Sequence, residues 1–361
     1  LAGKKEETKA SIVTTIEPNV ERFLEDELAA FQERWSPDQL GGIVMDPQTG
    51  RILAFGSSPN FDPGEKIEDI SLLPNPLVEK VFEMGSIVKP ITMAAALDAG
   101  AVTAETTYVD RGKLTIANRT IGNYDGSAHG TVSMQTVLSK SLNTGAVFAQ
   151  QKLGEQKFIN YFSAFGFGEK TGIDLPNETA GLIANLEKGG EIAAATASYG
   201  QGVSLSPIAM TRALSVLAAG GVLPAPHVVE QLVYQDGSKG ELAREAPKSR
   251  QVIKKETAAE ITSMLVKVVD EALVGGRAKL PHYQVAAKTG TAQIPKAGGG
   301  YEEGKFLHSF FGYFPAYEAK FIVFLYAVNP RGAQYSSETL TDPFIHLTKF
   351  LLNYYQVPPD R

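Results

Sequence analysis

The chain has 361 residues, 43% hydrophobic and 20% charged, which suits a large packed domain or two ordinary ones and excludes disorder as the main state. Its 34 Lys+Arg against 40 Asp+Glu give a formal net charge of -6 with no long basic run, which argues against a nucleic-acid partner. The absence of cysteine removes disulfides, thiolate catalysis and Cys-ligated metals and fits an oxidising compartment, while the five histidines (His129, His227, His282, His308, His346) show no helical metal-ligand spacing.

Leu1 to Ala10 is polar and rich in lysine and glutamate, without the apolar region of a signal peptide. Residues 1–15 are therefore expected to be a linker or the cut end of a longer protein. Val20, Phe23, Leu24, Leu28 and Phe31 recur at helical spacing, and Pro18 suits a first turn, so Pro18 to Trp35 reads as a helix. Gly42 to Asp46, a Pro47–Gly50 turn and Arg51 to Phe55 read as a strand hairpin, followed by a long polar loop from Ser57 to Pro76. Ser86 to Ala99 reads as a helix closed by Gly100.

The middle reads as mostly helical. Ser133 suits an N-cap for a helix to Lys140, with others over Thr144–Leu153, Gln156–Phe165, a Ser206-Pro207 start running to Gly220, and Thr257–Val274. Strands return at Val285–Ile294, Phe306–Phe314 and Phe321–Val328, before a last helix from Pro343 to Tyr355. The longest apolar run, Phe321 to Val328, falls far short of the ~18–20 residues of a membrane span. Strands at both ends and helices between predict a mixed α/β (α+β) fold. It has one antiparallel sheet of about five strands from 16–85 and 250–361, flanked by helices, plus a helical subdomain over about 86–249.

Three short motifs carry chemistry. Ser86-Ile87-Val88-Lys89 is the sole Ser-x-x-Lys, with Gly85 before it. It places a hydroxyl at the positive end of a helix and a lysine one turn on, where a depressed pKa makes the lysine a base. Alone it reads more simply as an N-cap serine beside a solvated lysine. Ser141-Leu142-Asn143 falls at a break between helices, free to point a hydroxyl and a carboxamide into a cleft; alone these are also ordinary caps. Lys288-Thr289-Gly290-Thr291 follows an apolar stretch and reads as a strand, with Gly290 removing a side chain where a ligand's backbone approaches. Two decoys, Ser58-Pro59-Asn60 and Lys170-Thr171-Gly172, sit in turn-rich loops.

In this order the motifs resemble the signature of active-site-serine penicillin-interacting enzymes. Further family-like segments cover nearly the whole chain: Gly50–Ala54, Phe82–Gly85, Gly166–Gly168 leading to Gly172–Pro176, Ser198–Gly202 before Ser206-Pro207, and His308–Gly312. Together they resemble class B, monofunctional penicillin-binding proteins, closest to the cell-division type. Ile87-Val88 and Leu142 depart from the commoner residues without removing a functional group. No Gly-x-Ser-x-Gly elbow, dinucleotide or phosphate-binding loop competes.

The resemblance implies the penicillin-binding-protein transpeptidase / serine β-lactamase-like fold and D,D-transpeptidase activity on peptidoglycan stem peptides ending in D-Ala-D-Ala, with covalent inhibition by β-lactam antibiotics. It makes Ser86 the nucleophile, Lys89 the base, Ser141 a proton relay, Asn143 a substrate-orienting group and Lys288 a source of positive potential. Thr289, Gly290, Thr291 and Gln293 form the substrate strand, and the N–H groups of Ser86 and Thr291 the oxyanion hole. No cofactor or metal is implied. Partners would be a membrane glycosyltransferase and proteins of the division or elongation machinery. The location would be the outer face of the bacterial cytoplasmic membrane, in the periplasm, the family's usual membrane helix and pedestal domain being absent from this sequence. A D,D-carboxypeptidase or β-lactamase, and a β-lactam sensor domain, are the alternatives. Against a β-lactamase, no Glu-x-x-Leu-Asn occurs, and Glu178 and Glu187 read as turn-associated surface charges.

Overall fold

The computed structural model describes residues 10–361 except 63, 68, 241–248 and 297, so residues 1–9 of the expected linker lie outside the described residues. Five strands form one antiparallel sheet: β1 (Gln39–Met45), β2 (Ile52–Ser58), β3 (Ala286–Pro295), β4 (Tyr301–Phe314) and β5 (Phe321–Val328). Their spatial order is β3-β4-β5-β1-β2, with Phe324 opposite Ile43 where the two ends of the chain meet. The sheet of five strands is thus as the sequence predicts.

Both faces of this sheet are covered, which explains why β5 is an unbroken apolar run rather than an alternating one. Val323, Leu325 and Ala327 point to one core, whereas Ile322, Phe324 and Tyr326 point to the other. The first core is closed by helices α1 (Pro18–Trp35) and α8 (Thr341–Tyr354). Helix α1 buries Val20, Leu24, Leu28 and Phe31, the stripe its periodicity predicts, and a left-handed Ser36 ends it. The second core is shared with α2 (Lys89–Asp98), α3 (Met134–Ser139), α4 (Asn143–Leu153), α5 (Glu155–Ala164), α6 (Pro207–Ala218) and α7 (Lys255–Lys267). Ser133 and Ser206 cap α3 and α6 through hydrogen bonds from the N–H groups of Thr136 and Ala209. All twelve residues of α6 are buried, because it runs between the sheet and the other helices.

Three expectations need correction. Ala10–Thr14, expected within a linker, forms a strand paired antiparallel with Val229–Tyr234. The region over 86–249 is not purely helical. Thr107–Asp110 pairs with Gly130–Ser133, and Lys113–Ile116 pairs with Arg119–Gly122, making two short ribbons. Each of these strands has four residues, too few for period-2 alternation to register. The helix expected to reach Val274 leaves α-geometry at Lys267 and passes through a wider π turn, Val268–Ala272, before Gly275 and Gly276 at positive φ end it. Among the described residues no helix is long and apolar enough to cross a membrane.

Phe344 on α8 stacks on Phe310 with ring centroids 4.5 Å apart and meets Phe314 edge-on, so it joins helix to sheet. Phe344→Ala should lower the free energy of unfolding by about 3–5 kcal/mol, read as a lower urea midpoint at an unchanged slope. A midpoint equal to wild type would mean that α8 does not close this core.

Candidate active site

Gly85–Val88 form one 3-10 turn that runs directly into α2. Gly85 has φ +63°, a conformation glycine accepts freely, and its N–H donates to the Gly200 carbonyl at 3.2 Å. The step leaves Ser86 partly exposed on a cleft while Ile87 and Val88 enter the core. Lys89 opens α2 and is 1% exposed. Pro90 follows at a position whose N–H has no intrahelical partner to lose.

Ser141 lies in the break between α3 and α4 with φ +56°, an uncommon conformation for a residue with a side chain. Such strain costs of order 1–3 kcal/mol and clusters at functional positions. Here it turns both polar groups of Ser141 toward Lys89. Lys89 Nζ donates to the Ser141 carbonyl and to Ser141 Oγ, the latter at 3.2 Å. Leu142, fully buried, pins the break, and Asn143 opens α4 with its Nδ2 donating to the Gly122 carbonyl at 2.8 Å.

The opposite wall is β3. Lys288 Nζ reaches Ser141 Oγ at 3.1 Å and the Thr289 carbonyl at 3.0 Å, so one hydroxyl lies between two lysines. Thr289, Thr291 and Gln293 alternate along the strand and face the same cleft, of about 600 Å3, as Ser86, Ser141 and Asn143. Thr291 Oγ1 accepts from the Ser336 N–H at 3.0 Å, which orients its hydroxyl. Gly290 is different. A Cβ there would lie 2.4 Å from Ser309 Oγ and 2.6 Å from the Met84 carbonyl. The space expected for a ligand's backbone is filled by the Met84–Ile87 turn that carries Ser86, so Gly290 lets β3 press against that turn instead of lining the cleft. Ser309 Oγ completes the joint by donating to the Met84 carbonyl at 2.8 Å.

Neither lysine has an ion-pair partner among the described residues. Burial first, and then the neighbouring Lys288, push the Lys89 ammonium well below the ordinary lysine range. Burial alone lowers Lys288 to about 8. Two positive charges beside one hydroxyl repel each other, which favours the neutral form of Lys89; in that form two N–H groups serve Ser141 and the lone pair is free to accept a proton. His308 is no competitor: it is buried between Thr339 Oγ1 at 2.8 Å and the Gln334 carbonyl at 3.2 Å, and burial lowers it to about 4. Among the described residues no three His, Asp or Glu side chains converge as a metal ion would require. The decoys stay apart from the cleft. The N–H groups of Thr171 and Gly172 bind the Glu178 carboxylate at 2.6 and 3.0 Å, and Glu178 is buried, not the surface charge expected.

The family model for the penicillin binding protein transpeptidase domain matches residues 40–346. The chain belongs to the class B penicillin-binding protein transpeptidase family. It is 33% identical over 335 residues to stage V sporulation protein D of Bacillus subtilis, covering 92% of this chain and 51% of the relative. It is 27% identical over 355 residues to the probable peptidoglycan D,D-transpeptidase PenA of Neisseria meningitidis, covering 97% and 58%. The crystal structure of penicillin binding protein 3 from Mycobacterium tuberculosis, complexed with ampicillin, matches with a TM-score of 0.91 at 26% identity over 99% of this chain and 81% of that one. The chain spans about half the length of the curated relatives it matches.

Several groups of this penicillin-binding protein cleft escape sequence reasoning. Tyr124 and Tyr335 meet edge-to-face across 5.6 Å at the cleft, and the Gly122 carbonyl receives Asn143. Both Tyr124 and Gly122 belong to the ribbon region that four-residue strands conceal. Asp110 is likewise hidden in sequence; it is 1% exposed and accepts from Thr144 Oγ1 at 2.7 Å and Asn123 Nδ2 at 2.9 Å, tying that region to the start of α4.

Gly290→Ala should slow acylation of Ser86 by benzylpenicillin at least tenfold and lower thermal stability, because the new methyl separates β3 from the nucleophile turn. Unchanged acylation by intact-mass kinetics would show that the joint is loose. The buried Lys288 generates a second expectation. Its folded pKa lies below the unfolded one, so between about pH 8 and the ordinary lysine value of 10.5 the unfolded chain holds the extra proton, and stability rises with pH. The stability advantage of Lys288→Met over wild type, measured by urea unfolding, should therefore shrink from pH 8 to pH 10. A constant difference would place the same charge on Lys288 in both states.

Proposed function

We propose that this chain is the catalytic domain of a serine D,D-transpeptidase that cross-links peptidoglycan stem peptides through an acyl-enzyme and is acylated by β-lactams. The observation that carries the reading is the pair of buried lysines, neither ion-paired among the described residues, joined through Ser141 Oγ beside the cleft-facing Ser86. Ser86 Oγ attacks the carbonyl between the two terminal D-alanines, and neutral Lys89 takes its proton. As the C–N bond breaks, Ser141 passes a proton to the departing D-alanine amine. An amine of a second stem peptide then attacks the ester, loses a proton along the same path and releases Ser86. The N–H groups of Ser86 and Thr291 hold the oxyanion, where one donor is worth ~3 kcal/mol. Lys288, Thr289 and Thr291 hold the terminal carboxylate, and Asn143 orients the substrate amide. Strand β3 is an edge of the sheet, so an extended peptide adds beside it with Gln293 along its path.

Transfer is favoured over hydrolysis because no aspartate or glutamate lines the cleft among the described residues. Glu178 is committed to two backbone N–H groups, which leaves no carboxylate there to activate water on the ester. A positioned amine competes with water through its effective molarity. The substrate places the domain outside the cytoplasmic membrane, in the periplasm. A membrane glycosyltransferase within the division or elongation machinery would supply the glycan strands.

Intact-mass measurement after benzylpenicillin should show one adduct, on the peptide containing Ser86, that persists for many minutes and is absent in Ser86→Ala. Lys89→Ala should slow its formation by orders of magnitude, whereas His308→Ala should not. Sustained hydrolysis that depends on Ser86 would convert the reading to a β-lactamase or carboxypeptidase. An adduct retained in Ser86→Ala would remove the assignment of the nucleophile.

A further inference from the structure

Lys140 stands on the cleft wall immediately before Ser141, exposed, and a chain of side chains holds its ammonium in place. Its Nζ lies 3.2 Å from His129 Nδ1, and His129 Nε2 lies 2.9 Å from Asp125 Oδ2. An ammonium only donates, so Nδ1 is the acceptor and the ring proton sits on Nε2, facing Asp125. The backbone of His129 is fixed as well, its N–H donating to Asp110 at 3.0 Å. The whole arrangement therefore hangs from the same buried aspartate that anchors Thr144 at the start of α4.

A surface lysine ordinarily pairs directly with a carboxylate or trails in solvent. Here the carboxylate of Asp125 is kept one imidazole away, which orients the ammonium without neutralising it. Lys140 has no ion-pair partner among the described residues, and two of its three N–H donors remain for something in the cleft. No acidic side chain lines that cleft among the described residues, which leaves the ammonium free to meet a negative charge brought in by a ligand. The terminal carboxylate of a stem peptide is already provided for on the β3 wall by Lys288, Thr289 and Thr291.

We propose that Lys140, positioned by His129 and Asp125, is a second anion subsite that binds a side carboxylate on the peptide substrate, distinct from its terminal carboxylate. The inference rests on the transpeptidase reading above. The contact is a charge-assisted N–H···O bond, and the carboxylate is carried by either the donor or the acceptor peptide.

Two pairs of synthetic peptides separate these sources. Within each pair the peptides are identical except that one side carboxylate, upstream of the reacting end, is free in one and a carboxamide in the other. The donor pair ends in D-Ala-D-Ala and is scored by how strongly each member slows acylation of Ser86 by benzylpenicillin. The acceptor pair carries the reacting amine and is scored by its KM for transfer from a thioester donor. Wild-type protein should prefer the free carboxylate by roughly fivefold in one of the two pairs, and added salt should erode that preference. In Lys140→Gln the ratio should fall to about one, Lys140→Arg should restore it, and His129→Ala should give an intermediate ratio because the ammonium is no longer held. An equal response to carboxylate and carboxamide in both wild-type pairs, or a ratio unchanged in Lys140→Gln, would overturn the subsite. If benzylpenicillin failed to acylate wild-type Ser86, the transpeptidase reading would fall and the subsite with it. Normal acylation without carboxylate preference overturns the subsite alone.

Discussion

Two buried lysine side chains meet at one serine hydroxyl, and among the described residues no carboxylate pairs with either of them. The cost of burying a second charge beside the first favours a neutral Lys89, and a neutral amine is the one form of lysine that accepts a proton. The chemistry of the site thus follows from withholding a counter-ion. A glutamate placed there to satisfy either lysine would stabilise the fold and hold Lys89 protonated. The strained backbone of Ser141 belongs to the same arrangement, since an unstrained helix start would point its hydroxyl elsewhere.

Keeping the three motifs in register is a packing problem between distant parts of the chain. Ser86 sits where the sheet meets the helices, Ser141 lies among the helices, and Lys288 belongs to the sheet. They are joined by close approach: β3 presses on the Ser86 turn through Gly290, and Ser309 bonds across the seam to Met84. Ser336 then links onward, giving its N–H to Thr291 and its hydroxyl to the Ser309 carbonyl at 2.7 Å. The outer faces of the sheet need only be apolar and well packed, but this seam needs particular small residues.

How much of this was legible in advance depended on the range of each signal. Helix α1 and strand β5 announced themselves because their apolar patterns run for 18 and 8 residues. The motif residues are legible because each is a local string whose chemistry needs its neighbours; order along the chain sets aside Ser58-Pro59-Asn60, and turn-rich surroundings set aside Lys170-Thr171-Gly172. Gly290 stands out in the sequence, but not as a substrate-facing residue: nothing local to β3 tells that Met84 and Ser309 occupy the missing side chain's place. Glu178 reads as a surface charge in the sequence because its partners, the N–H groups of Thr171 and Gly172, become visible only when the loop closes on itself. The wall made by Gly122, Tyr124 and the Asp110 anchor was missed for a related reason. Its strands are four residues long, and the turn at Ala117 and Asn118, both at positive φ, carries little composition signal.

Strand β3 occupies one end of the order β3-β4-β5-β1-β2, so its outer row of backbone donors and acceptors is not consumed by a neighbouring strand of that sheet. An edge kept open for a passing peptide is equally open to the edge of another molecule, the geometry from which aggregates grow. Proteins commonly blunt such edges with prolines, bulges or a covering segment, but through Lys288–Gln293 those devices would also block the peptide. The bulge and the proline appear just beyond, where the pairing with β4 shifts between Gln293 and Pro295. Within the working stretch, protection falls to the buried charge of Lys288 and to the helices and loops that recess the strand below the surface. Under the proposed function the admissible visitor is a single flexible chain, narrow enough to enter where a second folded sheet cannot.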